Sequence, residues 1–115
     1  MDLLLGIDVG TTRVKTLAVD LQGRVMGQAA QICALSRPQP GWVEQDPEEL
    51  WQALAATVRG ALASLPRADY RVLGLALSTQ GGTTILADRA GRPLRPAISW
   101  MDQRGTAEVQ DLVQA

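Results

Sequence analysis

The sequence predicts an α/β fold, and three observations predict it. Leu3–Val9 and Val72–Leu77 are apolar runs of strand length, dense enough to read as strands buried on both faces. Between them Asp46-Pro47-Glu48-Glu49 is a helix start, with aspartate at the cap, proline at the first helical position and glutamate at the third. Asp20-Leu21-Gln22-Gly23 is a turn, opened by aspartate and closed by a glycine suited to positive φ. The second apolar run reads as a strand lying parallel to the first.

The elements follow in order. After the first strand, Arg13–Asp20 reads as a second and Arg24–Leu35 as a third, an antiparallel meander. Ser36–Asp46 is a loop broken by proline and glycine, in which Trp42 reads as a plug over the core. Leu50, Leu54, Val58, Ala61, Leu62 and Leu65 then recur on one helical face, with Trp51 beside them; that stripe is scaffold. Val72–Leu77 runs into Ser78–Thr84, polar and glycine-rich at the carboxyl end of a strand, where α/β sheets collect ligands. Ile85–Ala87 resumes a strand, and Asp88-Arg89-Ala90-Gly91 repeats the earlier turn rule. A helix begins at Thr106 and reaches Ala115 with no glycine cap, which reads as a cut through a longer protein.

Composition narrows the chemistry. A chain of 115 residues is one domain's length, and 11 basic against 12 acidic residues leave a net charge of −1. No basic patch favours nucleic acid, and no apolar segment approaches membrane-helix length. The lone cysteine, Cys33, sits in an apolar stretch and reads as a small buried hydrophobe, so a cytoplasmic setting is expected. Without histidine, any general acid or base must be a carboxylate. The sole lysine is Lys15, just beyond a Gly-Thr-Thr turn.

That turn is the sharpest functional signal. Gly10 admits close approach of backbone to a phosphate, Thr11 and Thr12 add hydroxyl donors, and Asp8 at the strand end suits Mg²⁺ or its waters. An ordinary hairpin accounts for the same residues, and both readings stand at this point. Neither a Walker loop nor a Gly-x-Gly-x-x-Gly turn is present.

Four segments in order carry a resemblance. Gly6-Ile7-Asp8-Val9-Gly10-Thr11-Thr12, Gly41–Pro47, Gln80–Thr84 and Ala97–Arg104 together resemble the start of an FGGY-family carbohydrate kinase, in the actin-like ATPase superfamily. The resemblance implies a ribonuclease-H-like α/β domain with a mixed sheet, residues 1–115 being the amino-terminal part of the first kinase domain. It implies transfer of the ATP γ-phosphate, with Mg²⁺, to a sugar or polyol hydroxyl, in a xylulokinase-like enzyme. Asp8 would serve the metal, and Gly10, Thr11, Thr12 and Lys15 the ATP phosphates. Gln80, Gly81, Gly82, Trp100 and Asp102 would fall at the sugar pocket, and the catalytic base would lie beyond residue 115. The chain by itself is therefore expected to be inactive. Expected partners are the sugar or polyol and ATP, with a homodimer allowed, and neither nucleic acid nor membrane. A non-catalytic actin-like module that binds nucleotide or a partner is the alternative.

Two details qualify the resemblance. Gly81 and Gly82 stand where glycerol kinase has arginine and glutamate, and xylulokinase methionine and histidine. Close approach of a ligand to bare backbone is the favoured reason for the pair, and positive φ the other. Asp102 is expected to accept a sugar hydroxyl, with a strand-end cap paired to Arg104 as the alternative.

Overall fold

In the computed structural model, which describes residues 1–66 and 68–115, the opening apolar run forms β1 (Asp2–Val9). β1 turns at once into β2 (Arg13–Asp20), antiparallel, with Asp8 opposite Lys15 and Val9 opposite Val14. β3 (Val25–Ile32) completes the meander against β2 and is shorter at both ends than the sequence suggested. The chain then forms the short β4 (Glu44–Gln45) and enters α1 (Pro47–Ala63) at the expected proline. β5 (Arg71–Thr79) returns parallel to β1, setting Leu5 beside Leu75 and Asp8 beside Ser78. The strand order in this sheet is β3-β2-β1-β5.

Two compact units result, one of Met1–Cys33 with Glu48–Gln80, the other of Ala34–Pro47 with Gly81–Ala115. The first holds the four-stranded sheet and the body of α1. Its core alternates along β1 and β2: Leu3, Leu5 and Ala18 pack with Met26, Val58, Leu62 and Leu65. Ile7, Val14, Cys33 and Ala53 pack with Leu50 and Leu54. The helix approaches the sheet on small residues, with Ala53, Thr57 and Ala61 as its buried positions. A buried hydroxyl pair, Thr16 to Thr57 at 2.9 Å, ties β2 to α1. Burial raises the Cys33 thiol above its ordinary pKa, in keeping with its reading as a small core residue.

The second unit contains β4, the equally short β6 (Ala97–Ile98) antiparallel to it, and α2 (Thr106–Gln114), which buries no side chain. Single bridges Thr84–Ile98 and Ala87–Pro93 stand where the sequence suggested a strand over Ile85–Ala87. The strand fails there because the Asp88 turn follows immediately and leaves no length for a ladder.

Three expectations need correction. β1 is buried on one face only: Leu3, Leu5 and Ile7 are covered by α1, while Leu4 is 42% exposed. β5 is less covered still, Leu75 and Leu77 remaining more than half exposed at the sheet edge. A continuous apolar run presumes cover on both faces, and among the described residues α1 covers one. Trp51 projects away from the helix stripe into solvent at 59% exposure. No helix among the described residues is long and apolar enough to cross a membrane.

Candidate functional site

The Gly10–Arg13 turn closes as a hairpin connection, the Gly10 N–H donating to the Arg13 carbonyl at 2.9 Å. That N–H is therefore committed within the turn and is not aimed outward, contrary to the simplest form of a phosphate cradle. The Thr12 carbonyl accepts the Cys33 N–H, which pins the turn to the end of β3. Thr11 and Thr12 form the tip, with Thr12 exposed.

Asp8 lies just before the turn, on the sheet face away from α1. The register sets Lys15, Asp8 and Ser78 in one row across β2, β1 and β5, all three exposed. Opposed antiparallel residues hold their Cβ atoms roughly 5 Å apart, so the Lys15 ammonium lies within reach of a group bound at Asp8. Next along is the row Leu17, Gly6, Ala76. Because Gly6 carries no side chain, the two rows border an open hollow of about 320 Å³, apolar at its floor and charged at one end. Gln80, expected among the sugar contacts, extends β5: its N–H donates to the Val9 carbonyl and its Nε2 to the Gly10 carbonyl at 3.4 Å.

The remaining predicted residues belong to the second unit. Trp100 is 55% exposed at the tip of a turn closed by the Asp102 N–H on the Ser99 carbonyl. Its own N–H donates to Thr83 Oγ1 at 3.2 Å. Gly82 lies against it at φ +75°, whereas Gly81 has no left-handed φ and open space where a side chain would begin. The conformational reason thus accounts for Gly82, and the ligand-approach reason favoured from the sequence is not required there.

Asp102 is engaged on every side. Its Oδ1 accepts the Arg104 N–H and Nε, and its Oδ2 accepts Arg104 Nη2 at 2.7 Å and the Val43 N–H at 2.7 Å. The Arg104 bonds hold this carboxyl well below the usual carboxylate range, and Asp102 in turn raises Arg104. The pairing with Arg104 expected as the alternative is the one present.

Glu44 belongs to the same cluster and escaped the sequence reading. Its Oε1 accepts both Arg104 Nη2 at 2.9 Å and Arg95 Nη2 at 2.8 Å. Trp42 is not simply a plug, since the Arg104 guanidinium lies 3.8 Å from its ring centroid. The cluster joins residues 51 and 60 positions apart, so no local spacing announced it.

Asp8 is the carboxylate suited to an ion. Among the described residues no three His, Cys, Asp or Glu side chains gather as a ligand cage. A single exposed carboxylate is a donor set that Mg²⁺ can use, since it keeps several waters and binds through one or two carboxylates and phosphates.

Comparison with known proteins bears on the whole chain. An apulose kinase of Pectobacterium atrosepticum is 40% identical over 96% of the chain, and a glycerol kinase of Delftia acidovorans 42% over 90%. The chain spans 22% and 21% of those two proteins. The xylulose kinase of Rhodospirillum rubrum superposes with a TM-score of 0.91 at 31% identity, over 97% of this chain and 23% of that one. Plasmodium falciparum glycerol kinase, solved with ADP, superposes at 0.89 with 26% identity over 99% of this chain and 23% of that one. The fold is accordingly ribonuclease-H-like, of the actin-like ATPase kind. Residues 3–115 match the N-terminal domain of the FGGY family of carbohydrate kinases, and the chain belongs to that family.

Proposed function

We propose that this chain works as the amino-terminal part of a xylulokinase-like enzyme, which transfers the ATP γ-phosphate to a sugar or polyol hydroxyl in the cytoplasm. The observation that carries the reading is the row Lys15, Asp8, Ser78 beside the Gly10–Arg13 turn. Phosphoryl transfer asks a protein mainly for positioning and charge neutralisation. Thr11, Thr12 and Lys15 supply donors and a cation for phosphate oxygens, and Gln80 steadies the turn from behind through the Gly10 carbonyl. Bound Mg²⁺ supplies neutralisation of phosphate charge, and Asp8 is the residue that would hold it or its waters. Trp100 serves as an apolar wall for the sugar, with Gly82 shaping the backbone beneath it.

A phosphorylation screen of the full-length protein against ketopentoses, polyols and aldonates tests the reading. ATP-dependent turnover of a ketopentose is expected, and Asp8→Ala should lower it by a factor on the order of 100 while the fold persists. No turnover of any acceptor, or an unchanged rate in folded Asp8→Ala, would return Asp8 to an ordinary hairpin position.

A further inference from the structure

We infer that Arg104 is a positioning residue, which acts through Asp102 and Glu44 to fix the turn carrying Trp100 as a preformed wall of the sugar pocket. The inference rests on the reading of Trp100 as that wall and assigns the machinery that holds it.

Trp100 is more than half exposed at a turn tip, so burial of its ring does little to fix the turn. Immediately behind it the chain is locked. The Asp102 side chain is 3% exposed, and its two oxygens accept four hydrogen bonds from Val43 and Arg104. A carboxylate offers roughly four lone-pair sites, so none is left for a sugar hydroxyl. Asp102 therefore acts on the turn, and its orientation depends on Arg104.

Arg104 is held from three sides. Asp102 grips its Nε and Nη2, Glu44 takes Nη2, and the Trp42 ring lies under the guanidinium plane. Arg95 bonds the same Glu44 oxygen, so two arginines stand against the two carboxylates. Nη1 of Arg104 is buried with no hydrogen-bond partner among the described residues. Asp102, Glu44 and Arg104 are mostly covered while Arg95 caps the cluster from solvent, and such an ion cluster contributes little net stability against an apolar substitute, yet it admits one geometry. Backbone bonds carry that geometry to the turn: Ser99 N–H donates to the Val43 carbonyl, and Gln103 N–H to the Gly41 carbonyl. Lysine cannot replace the arginine fork, since a point ammonium cannot grip Asp102 twice, reach Glu44 and stack on Trp42 together.

Sugar and ATP kinetics of Trp100→Ala, Arg104→Lys, Glu44→Gln and Arg104→Lys/Trp100→Ala in the full-length protein test the assignment, with melting curves of each. Arg104→Lys should raise the sugar KM about tenfold, with the ATP KM moved less than twofold and the melting curve little changed. Glu44→Gln, the milder variant should the lysine protein fold poorly, should shift the sugar KM the same way. The double variant should be no worse than Trp100→Ala, because both changes remove one wall. A raised sugar KM in Trp100→Ala with none in Arg104→Lys and Glu44→Gln overturns the positioning role and leaves the wall standing. An unmoved sugar KM in Trp100→Ala removes the wall reading itself. Equal rises in both KM values mark general loosening, and they too defeat the inference.

Discussion

The Cβ of Trp100 stands 3.1 Å from the point where a side chain on Gly82 would begin. Gly82 also has φ +75°, so conformation and space both disfavour a side chain at this position. Gly82→Ala should therefore destabilise the protein by roughly 1 kcal/mol or more. Gly81→Ala should be close to neutral, its added methyl meeting nothing within 4 Å. Melting curves of the two variants check the contrast, and equal stability would remove the conformational account of Gly82.

A second glycine marks where α1 lies closest to the sheet. A Cβ on Gly27 would come 2.2 Å from the Ala61 carbonyl oxygen and 2.9 Å from Ser64 Oγ. A backbone carbonyl cannot swing aside as a side-chain tip can, so helix and strand must part. Gly27→Ala is expected to cost about 1–3 kcal/mol, the usual range for overpacking. Denaturant unfolding measures it, and a cost below about 0.5 kcal/mol would mean the helix end yields freely.

The Asp102–Arg104 pair predicts an acid-limb dependence with a definite sign. Asp102 titrates below its unfolded value of about 3.9, so its contribution is whole above that pH and drains away as pH falls toward the folded value. Asp20, Asp88 and Asp2 are lowered too, the first two chiefly by backbone bonds from Arg24 and Arg92, and Asp2 by the Arg71 side chain. Asp102→Asn should flatten the loss of stability between pH about 4 and about 2, relative to the parent. Acid titration followed by circular dichroism reads this, and superimposable acid limbs would contradict it.

How much was legible depended on whether the signal was local. Asp20-x-x-Gly23 and Asp88-x-x-Gly91 predicted a shared turn, and the two carry the same hydrogen bonds. Each aspartate accepts two backbone N–H groups through Oδ1 and the arginine after the glycine through Oδ2, and each glycine has φ near +80°. The helix start at Pro47 and the parallel return of β5 were equally readable. Exposure of Leu4, Leu75 and Leu77 was not, because apolar content reports what a strand is fit to bury and not what covers it. The depth of Ala53 and Thr57 was hidden for a related reason, since the largest apolar residues drew the stripe while close approach selected small ones. At the candidate site the Gly-Thr-Thr turn was legible in its residues, whereas the setting of Asp8 opposite Lys15 came from the register. The commitment of the Gly10 N–H and the Glu44–Arg104–Trp42 cluster needed coordinates.

The topology of the sheet also sets a timetable. Asp8 and Lys15 become neighbours by closing one short hairpin, an event of microseconds. Ser78 joins their row through the pairing of β5 with β1, which spans a sequence separation such as the 69 between Asp2 and Arg71. Loop-closure entropy must be met before contacts of that range return anything, so β5 is expected to dock last, once the meander and α1 offer it a surface. The same order runs backwards in native fluctuations. Among the described residues β5 has one paired edge and few covered side chains, so in this 115-residue chain its amides should exchange sooner than those of β1 and β2. In this chain the charged end of the hollow thus forms early, and Ser78 joins it last.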